Sequence, residues 1–131
     1  MPQELEVLFY ATVLTFVLLA IQGAMTPVFH GFKWGLGPRD QAREPTVLQG
    51  RANRVVANHL EAMLLFVPLI LTTHITGAAS DMTVNGAWTF LVSRILFALV
   101  YFIGIPVLRS LIWGVAVVGL IMIATDLFAA L

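Results

Sequence analysis

The sequence contains no cysteine. Disulfides, cysteine-ligated zinc and a cysteine nucleophile are therefore excluded, and any thiol chemistry must take its sulfur from a bound molecule. Charge is also scarce: 11% of the 131 residues are Asp, Glu, Lys or Arg, where soluble domains carry about a quarter. The formal net charge is zero and no two basic residues are adjacent, so nothing points to a polyanionic partner such as nucleic acid. No pair of histidines stands at ligand spacing with an acid, which argues against a metal site. There is no internal repeat, low-complexity tract or second domain. What remains is apolar: 60% of the chain is hydrophobic, the composition of a protein that lives in lipid.

Each membrane span needs about 20 apolar residues, so four spans with short connections use nearly the whole length. The first runs from about Leu5 and ends near Pro27. It is preceded by Glu4 and Glu6 rather than by Lys or Arg, the reverse of a secretory signal, and is read as a retained helix. A loop rich in breakers follows, with Gly31, Gly35, Gly37, Pro38 and Pro45, and with Trp34 at an interface. A second helix is expected over about 47–76. The segment from Gly77 to Asp81 is read as a turn, with Asn85 capping a third helix over about 86–104. Pro106 fits the first turn of a fourth helix over about 106–129. The fold class is thus an all-α integral membrane protein, a four-transmembrane-helix bundle forming a single domain over 1–131. Lys33, Arg39, Arg43, Arg51, Arg54 and Arg109 all fall on one side of this drawing, and the other side has no Lys or Arg. By the positive-inside rule the first loop and the third connection face the cytoplasm and both termini lie outside.

One stretch carries the chemistry. Arg51, Arg54, Asn58 and Glu61 fall within an arc of about 80° on a helix, a polar stripe entering the bilayer from the basic side. Such residues are costly in lipid and usually face a protein interior in a functional role. Arg94 on the third helix lies at about the depth of Glu61, by the helical rise of about 1.5 Å per residue, so contact between these two charges is the natural expectation. Tyr101 lies on the face of Arg94, and Arg109 and Ser110 open the fourth helix, where unpaired N–H groups add positive potential. The set describes a pocket of guanidiniums with an amide, a carboxylate and a phenol, suited to a small, multiply charged zwitterion. Each residue also has a plainer reading: Arg51 and Arg54 as interfacial anchors, Glu61 with Arg94 as an internal brace, Tyr101 as a belt residue and Arg109 as a topology determinant. His59 lies one step off the stripe. Trp34, Trp88 and Trp113 read as interface anchors or packing.

In spacing and residue type, Arg51-x-x-Arg54-x-x-x-Asn58-x-x-Glu61, then Arg94 with Tyr101 seven residues on, then Arg109-Ser110 after a proline turn, resembles the membrane-associated proteins in eicosanoid and glutathione metabolism, the MAPEG family. Gly37-Pro-Arg39-Asp40 is similar to the first loop of bacterial members. The chain departs from the family at Leu64, where a proline is common, and at Ala57, which is basic in some members. The resemblance implies a left-handed bundle assembled as a homotrimer in a bacterial inner membrane, with glutathione bound between subunits on the cytoplasmic half. It implies that Arg51, Arg54, Asn58, Glu61, Arg94 and Tyr101 hold the tripeptide, and that Arg109, with Ser110, sits near its sulfur. The implied activity is that of a glutathione-dependent transferase or peroxidase acting on lipophilic electrophiles or hydroperoxides. Two other readings stay open: a catalytically silent membrane scaffold of this family, and a small proton-coupled multidrug transporter using Glu61. Exporters of that size place their carboxylate in the first helix, where residues 7–29 of this chain have none.

Overall fold

A computed structural model describes all 131 residues and contains five helices: α1 Gln3–His30, α2 Phe32–Gly35, α3 Val47–Ile75, α4 Asp81–Ile103 and α5 Pro106–Ala129. All but α2 are long and apolar enough to cross a membrane. The 28 residues of α1 make a helix of about 42 Å, more than a hydrocarbon core of about 30 Å requires. It continues through Pro27 to His30, three residues past the break that proline suggested. Proline inside a helix forfeits one hydrogen bond, but its own carbonyl still accepts from Gly31 at 2.9 Å, so the last turn closes.

The start of α4 differs from the expectation by more than a turn. Ser80, not Asn85, is the N-cap: its side chain accepts from the Thr83 N–H while the Thr83 hydroxyl accepts from the Ser80 N–H. This is a capping box with Thr in the place usually held by Glu or Gln. Asn85 lies on the exposed face of the helix. The cap of α3 is a Thr46–Gln49 box, and Pro106 occupies the first turn of α5.

Cross-helix bonds define the topology. Going down α1 and up α3, Thr15 meets His59, Gln22 meets Asn53 and His30 meets Gln49, the signature of an antiparallel pair. Thr83 bonds Glu4 and Trp88 bonds Gln3, so α1 and α4 run in the same direction. Both α3 and α4 touch every other long helix, while α1 and α5 do not meet. The result is a four-helix rhombus with α1 and α5 at opposite corners.

Inside lipid the helices gain little from apolar burial against one another, and close packing and polar contacts hold them. The tightest pair is α4–α5. A Cβ on Gly86 would lie 2.7 Å from the Gly119 carbonyl oxygen, and one on Gly119 would lie 2.7 Å from the Gly86 carbonyl oxygen and 2.9 Å from the Phe90 nitrogen. Each glycine faces the other across the interface, so close approach is achieved without a Gly-xxx-Gly repeat on either helix. At the end bearing the chain termini, Ser80 bonds Asp126 and the buried Glu4 accepts from Thr83.

The core is divided in two along the bundle axis. One apolar cluster includes Val7, Ala11, Phe66, Ile70, Phe90 and Ile123, with Phe66 and Phe90 stacked at 4.1 Å between ring centroids. The other holds Leu18, Val55, Val56, Phe97, Ala98 and Tyr101. Between them in sequence on each helix lie Thr15 of α1, Asn58 and His59 of α3 and Arg94 of α4. A polar layer thus crosses the middle of the bundle.

Candidate functional site

The polar stripe of α3 is placed where α3 and α5 diverge. A cleft of about 440 Å³ opens there, lined by Arg54, Ala57, Asn58 and Glu61 of α3, Phe97 and Tyr101 of α4, and Arg109, Ser110 and Trp113 of α5. A second cavity of about 520 Å³ adjoins it toward the basic end, sharing Arg54, Tyr101 and Arg109 and adding Arg51, Gly104 and Pro106. Six of the eight residues singled out from sequence therefore line one cleft: Arg54, Asn58, Glu61, Tyr101, Arg109 and Ser110.

Tyr101 is the hub. Its hydroxyl accepts from Arg54 Nε at 2.9 Å. The Arg109 guanidinium stands 4.7 Å from its ring centroid and that of Arg54 5.8 Å, both within cation–π range. Arg109 makes no side-chain hydrogen bond, so all five of its donors are available to a ligand. Ser110 leans on its own helix, with its hydroxyl 3.4 Å from the Pro106 carbonyl. The carboxylate of Glu61 is exposed on the cleft wall.

Arg51 lies one step away from this group. Its Nη1 donates to the Phe102 carbonyl at 3.1 Å, satisfying one of the free carbonyls at the end of α4. Its guanidinium lies where a side chain on Gly104 would stand, 2.7 Å from a Cβ there. Gly104 closes α4 in the left-handed conformation (φ 93°), so glycine suits this corner on both grounds.

The expected contact between Glu61 and Arg94 does not form. Arg94 is buried behind the cleft wall, with Nη1 donating to Asn58 Oδ1 at 2.8 Å and Nε to His59 Nδ1 at 3.4 Å, and its guanidinium over the Phe97 ring at 4.5 Å. The contact is decided by azimuth around α3 rather than by position along it. At about 100° per residue, His59 lies on one side of Asn58 and Glu61 on the other, and α4 packs on the His59 side. His59 is the main residue that sequence reasoning passed over. A signal for it exists: Ala52, Val55, Val56, His59, Phe66 and Ile70 form the buried stripe of α3, so the histidine stands at a core position. Trp113, read from sequence as an interface anchor or packing, lines the cleft with Phe97, which carries no distinguishing mark in the sequence.

Electrostatically the cleft is cationic, with Arg54 and Arg109 at one end and one carboxylate, Glu61, at the other. Apolar walls from Phe97 and Trp113 border this charge. Such a site fits a small ligand with separated carboxylates and an ammonium.

The family model for the MAPEG family matches residues 7–129, nearly the whole chain, including every residue of the cleft. The chain belongs to the MAPEG family. No curated protein and no solved structure gives a match. In this MAPEG chain the matched region spans all four membrane-crossing helices and the loop between α1 and α3.

Proposed function

We propose that this MAPEG protein is a membrane-embedded glutathione-dependent transferase or peroxidase, and that glutathione occupies the cleft between α3 and α5. The observation that carries the reading is the pair of guanidiniums, Arg54 and Arg109, both held against Tyr101, with Asn58 and Glu61 lining the same cleft. The residues fit the group. Glutathione has two carboxylates for guanidiniums, an ammonium for Glu61 and peptide groups for the Asn58 amide. Bound there, it would supply the thiol that a cysteine-free chain lacks.

The chain's own contribution is electrostatic. A free thiol has a pKa of about 8.5, and adjacent positive charge lowers it. Arg109, with no hydrogen-bond partner of its own, is the group best placed to favour the ionised sulfur, and the free N–H groups at the start of α5 add to that potential. Ser110 is assigned to the same place, its hydroxyl turning from the Pro106 carbonyl to donate there. Arg54, Asn58, Glu61 and Tyr101 are assigned to the peptide part, Arg51 to the adjoining cavity and Arg94 to support from behind. A lipophilic electrophile or hydroperoxide would reach the cleft laterally from the bilayer, past Phe97 and Trp113.

The cleft is open on one side and exposed apolar surface flanks it, including Leu60, Leu64 and Leu111. We assign that side to a neighbouring subunit of a homotrimer, and the basic end to the cytoplasm. The test is turnover. Purified protein in detergent should produce a glutathione conjugate from a lipophilic electrophile, or reduce a lipid hydroperoxide, and Arg109→Ala should lower kcat by about 100-fold or more, the scale of losing one electrostatic donor in a catalytic site. Saturable glutathione binding with no turnover on either substrate class would favour a silent family member instead.

A further inference from the structure

The polar layer between the two apolar clusters is a continuous hydrogen-bonded chain across three helices. The Thr15 hydroxyl donates to the Ala11 carbonyl at 2.8 Å, and its oxygen lies 2.7 Å from His59 Nε2. Arg94 Nε donates to His59 Nδ1, and Arg94 Nη1 donates to Asn58 Oδ1. His59 and Arg94 are each 1% exposed.

Every link has a fixed polarity. A guanidinium can only donate, so His59 Nδ1 carries a lone pair and the ring proton is on Nε2. The Thr15 proton is committed to Ala11, so its oxygen accepts from Nε2–H. At the other end the Asn58 oxygen must face Arg94, and its nitrogen must face away. Asn58 Nδ2 makes no hydrogen bond within the chain, yet no buried polar side-chain atom lacks a partner. The amide N–H groups therefore open toward the cleft that Asn58 lines.

We propose that His59 is a positioning residue: as a neutral imidazole protonated on Nε2, it anchors the Arg94 guanidinium and thereby turns the Asn58 amide nitrogen into the cleft, so that this wall binds a carboxylate or carbonyl oxygen of the ligand. An ammonium is rejected there and directed to Glu61. Asparagine alone has no orientation preference, and Arg94 in a bundle interior needs a second acceptor besides Asn58 to stay in place. His59 supplies that acceptor, and Thr15 supplies the acceptor that fixes its tautomer. The choice of glutathione as probe rests on the function proposed above; the amide orientation does not.

Two replacements separate the roles of the ring. His59→Asn keeps an acceptor at the place of Nδ1 and loses the reach to Thr15. His59→Gln reaches Thr15 and offers Arg94 nothing at the Nδ1 position. The first readout needs no ligand: nitrogen NMR of histidine-labelled protein in detergent at neutral pH, with the His59 signal identified by its loss in His59→Asn. The expected spectrum shows Nε2 protonated and Nδ1 bare; an Nδ1-protonated ring or an imidazolium overturns the proposal. The second readout is glutathione turnover in variants shown by size and helicity to be folded as the wild type. His59→Gln should raise KM for glutathione by about tenfold with kcat nearly unchanged, because uniform binding is lost while the charge at Arg109 is intact, and His59→Asn should restore KM to within about threefold of wild type. Equal KM in His59→Gln and wild type, or failure of His59→Asn to restore it, overturns the proposal. A wild type that shows the expected tautomer but does not bind glutathione removes the ligand assignment and leaves the positioning role supported.

Discussion

The six arginines of this chain have different partners, and the partners separate their roles. Arg51 is engaged by a helix end, Arg94 by the interior, and Arg39 by the Gly35 carbonyl, to which both Nε and Nη2 donate. Arg43 reaches the His30 carbonyl. Only Arg54 and Arg109 face the cleft, and only Arg109 has no hydrogen-bonding acceptor. Glu61→Gln should weaken affinity for glutathione by about tenfold, the equivalent of about 1.4 kcal/mol for one charge-assisted bond, with no change in the melting temperature because the carboxylate is exposed and bonds nothing. Calorimetric titration alongside thermal unfolding checks both halves of that statement. Much of the site was legible in the sequence because a polar group in a lipid-spanning helix is conspicuous: Arg54, Asn58 and Glu61 share a helix face, and that face lines a cleft. The partner of Arg94 was not legible. Matching depth could be counted along each helix, but which side of α3 meets α4 depends on packing, and His59 looked like an off-stripe residue until the buried face was known.

At the scale of elements, α4 is the central support: it meets α1, α3 and α5, and it carries Arg94 and Tyr101. Its attachment to α5 rests on the facing glycines. Gly119→Ala should destabilise the bundle by about 1–3 kcal/mol, since the new methyl meets backbone atoms that cannot turn aside. Gly114→Ala, with nothing within 4 Å of its Cβ, should cost nothing; unfolding curves in one detergent compare the pair. The N-terminus of α4 gives a second comparison. Ser80→Ala should lose about 1 kcal/mol as the cap and its link to Asp126 go, while Asn85→Ala should stay within about 0.5 kcal/mol. The reverse order would restore Asn85 as the cap. The four long helices were readable from apolar runs and breakers, but the onset of α4 was not, because the apolar run begins after the helix does. Its first turn, Asp81-Met82-Thr83-Val84, is mixed in character, and the decisive signal was the Ser80–Thr83 pair.

For the whole molecule, the division of charge is consistent from end to end. Glu4, Asp81 and Asp126 cluster at the end bearing the termini, where Thr83 and Ser80 hold two of the carboxylates, and the basic loop caps the other end around Trp34. A reporter joined to the C-terminus should be active only on the outer side of the membrane; activity in the cytoplasm would reverse the assigned orientation and turn the cleft away from the cytoplasmic glutathione pool. The outer helices α1 and α5 carry apolar faces that a single chain leaves uncovered, Phe9, Phe16 and Val17 on one and Val115, Val118 and Ile121 on the other. Lipid and neighbouring subunits would cover them, and in mild detergent the particle should have the mass of three chains. The central proposal is that the cationic cleft between α3 and α5 holds glutathione. Its most direct test is equilibrium binding of glutathione to the purified wild type beside Arg54→Ala and Arg109→Ala. Saturable binding by the wild type, weakened about tenfold or more in each variant, is the predicted result. The absence of saturable binding by a folded wild type, or undiminished binding by both variants, would contradict it.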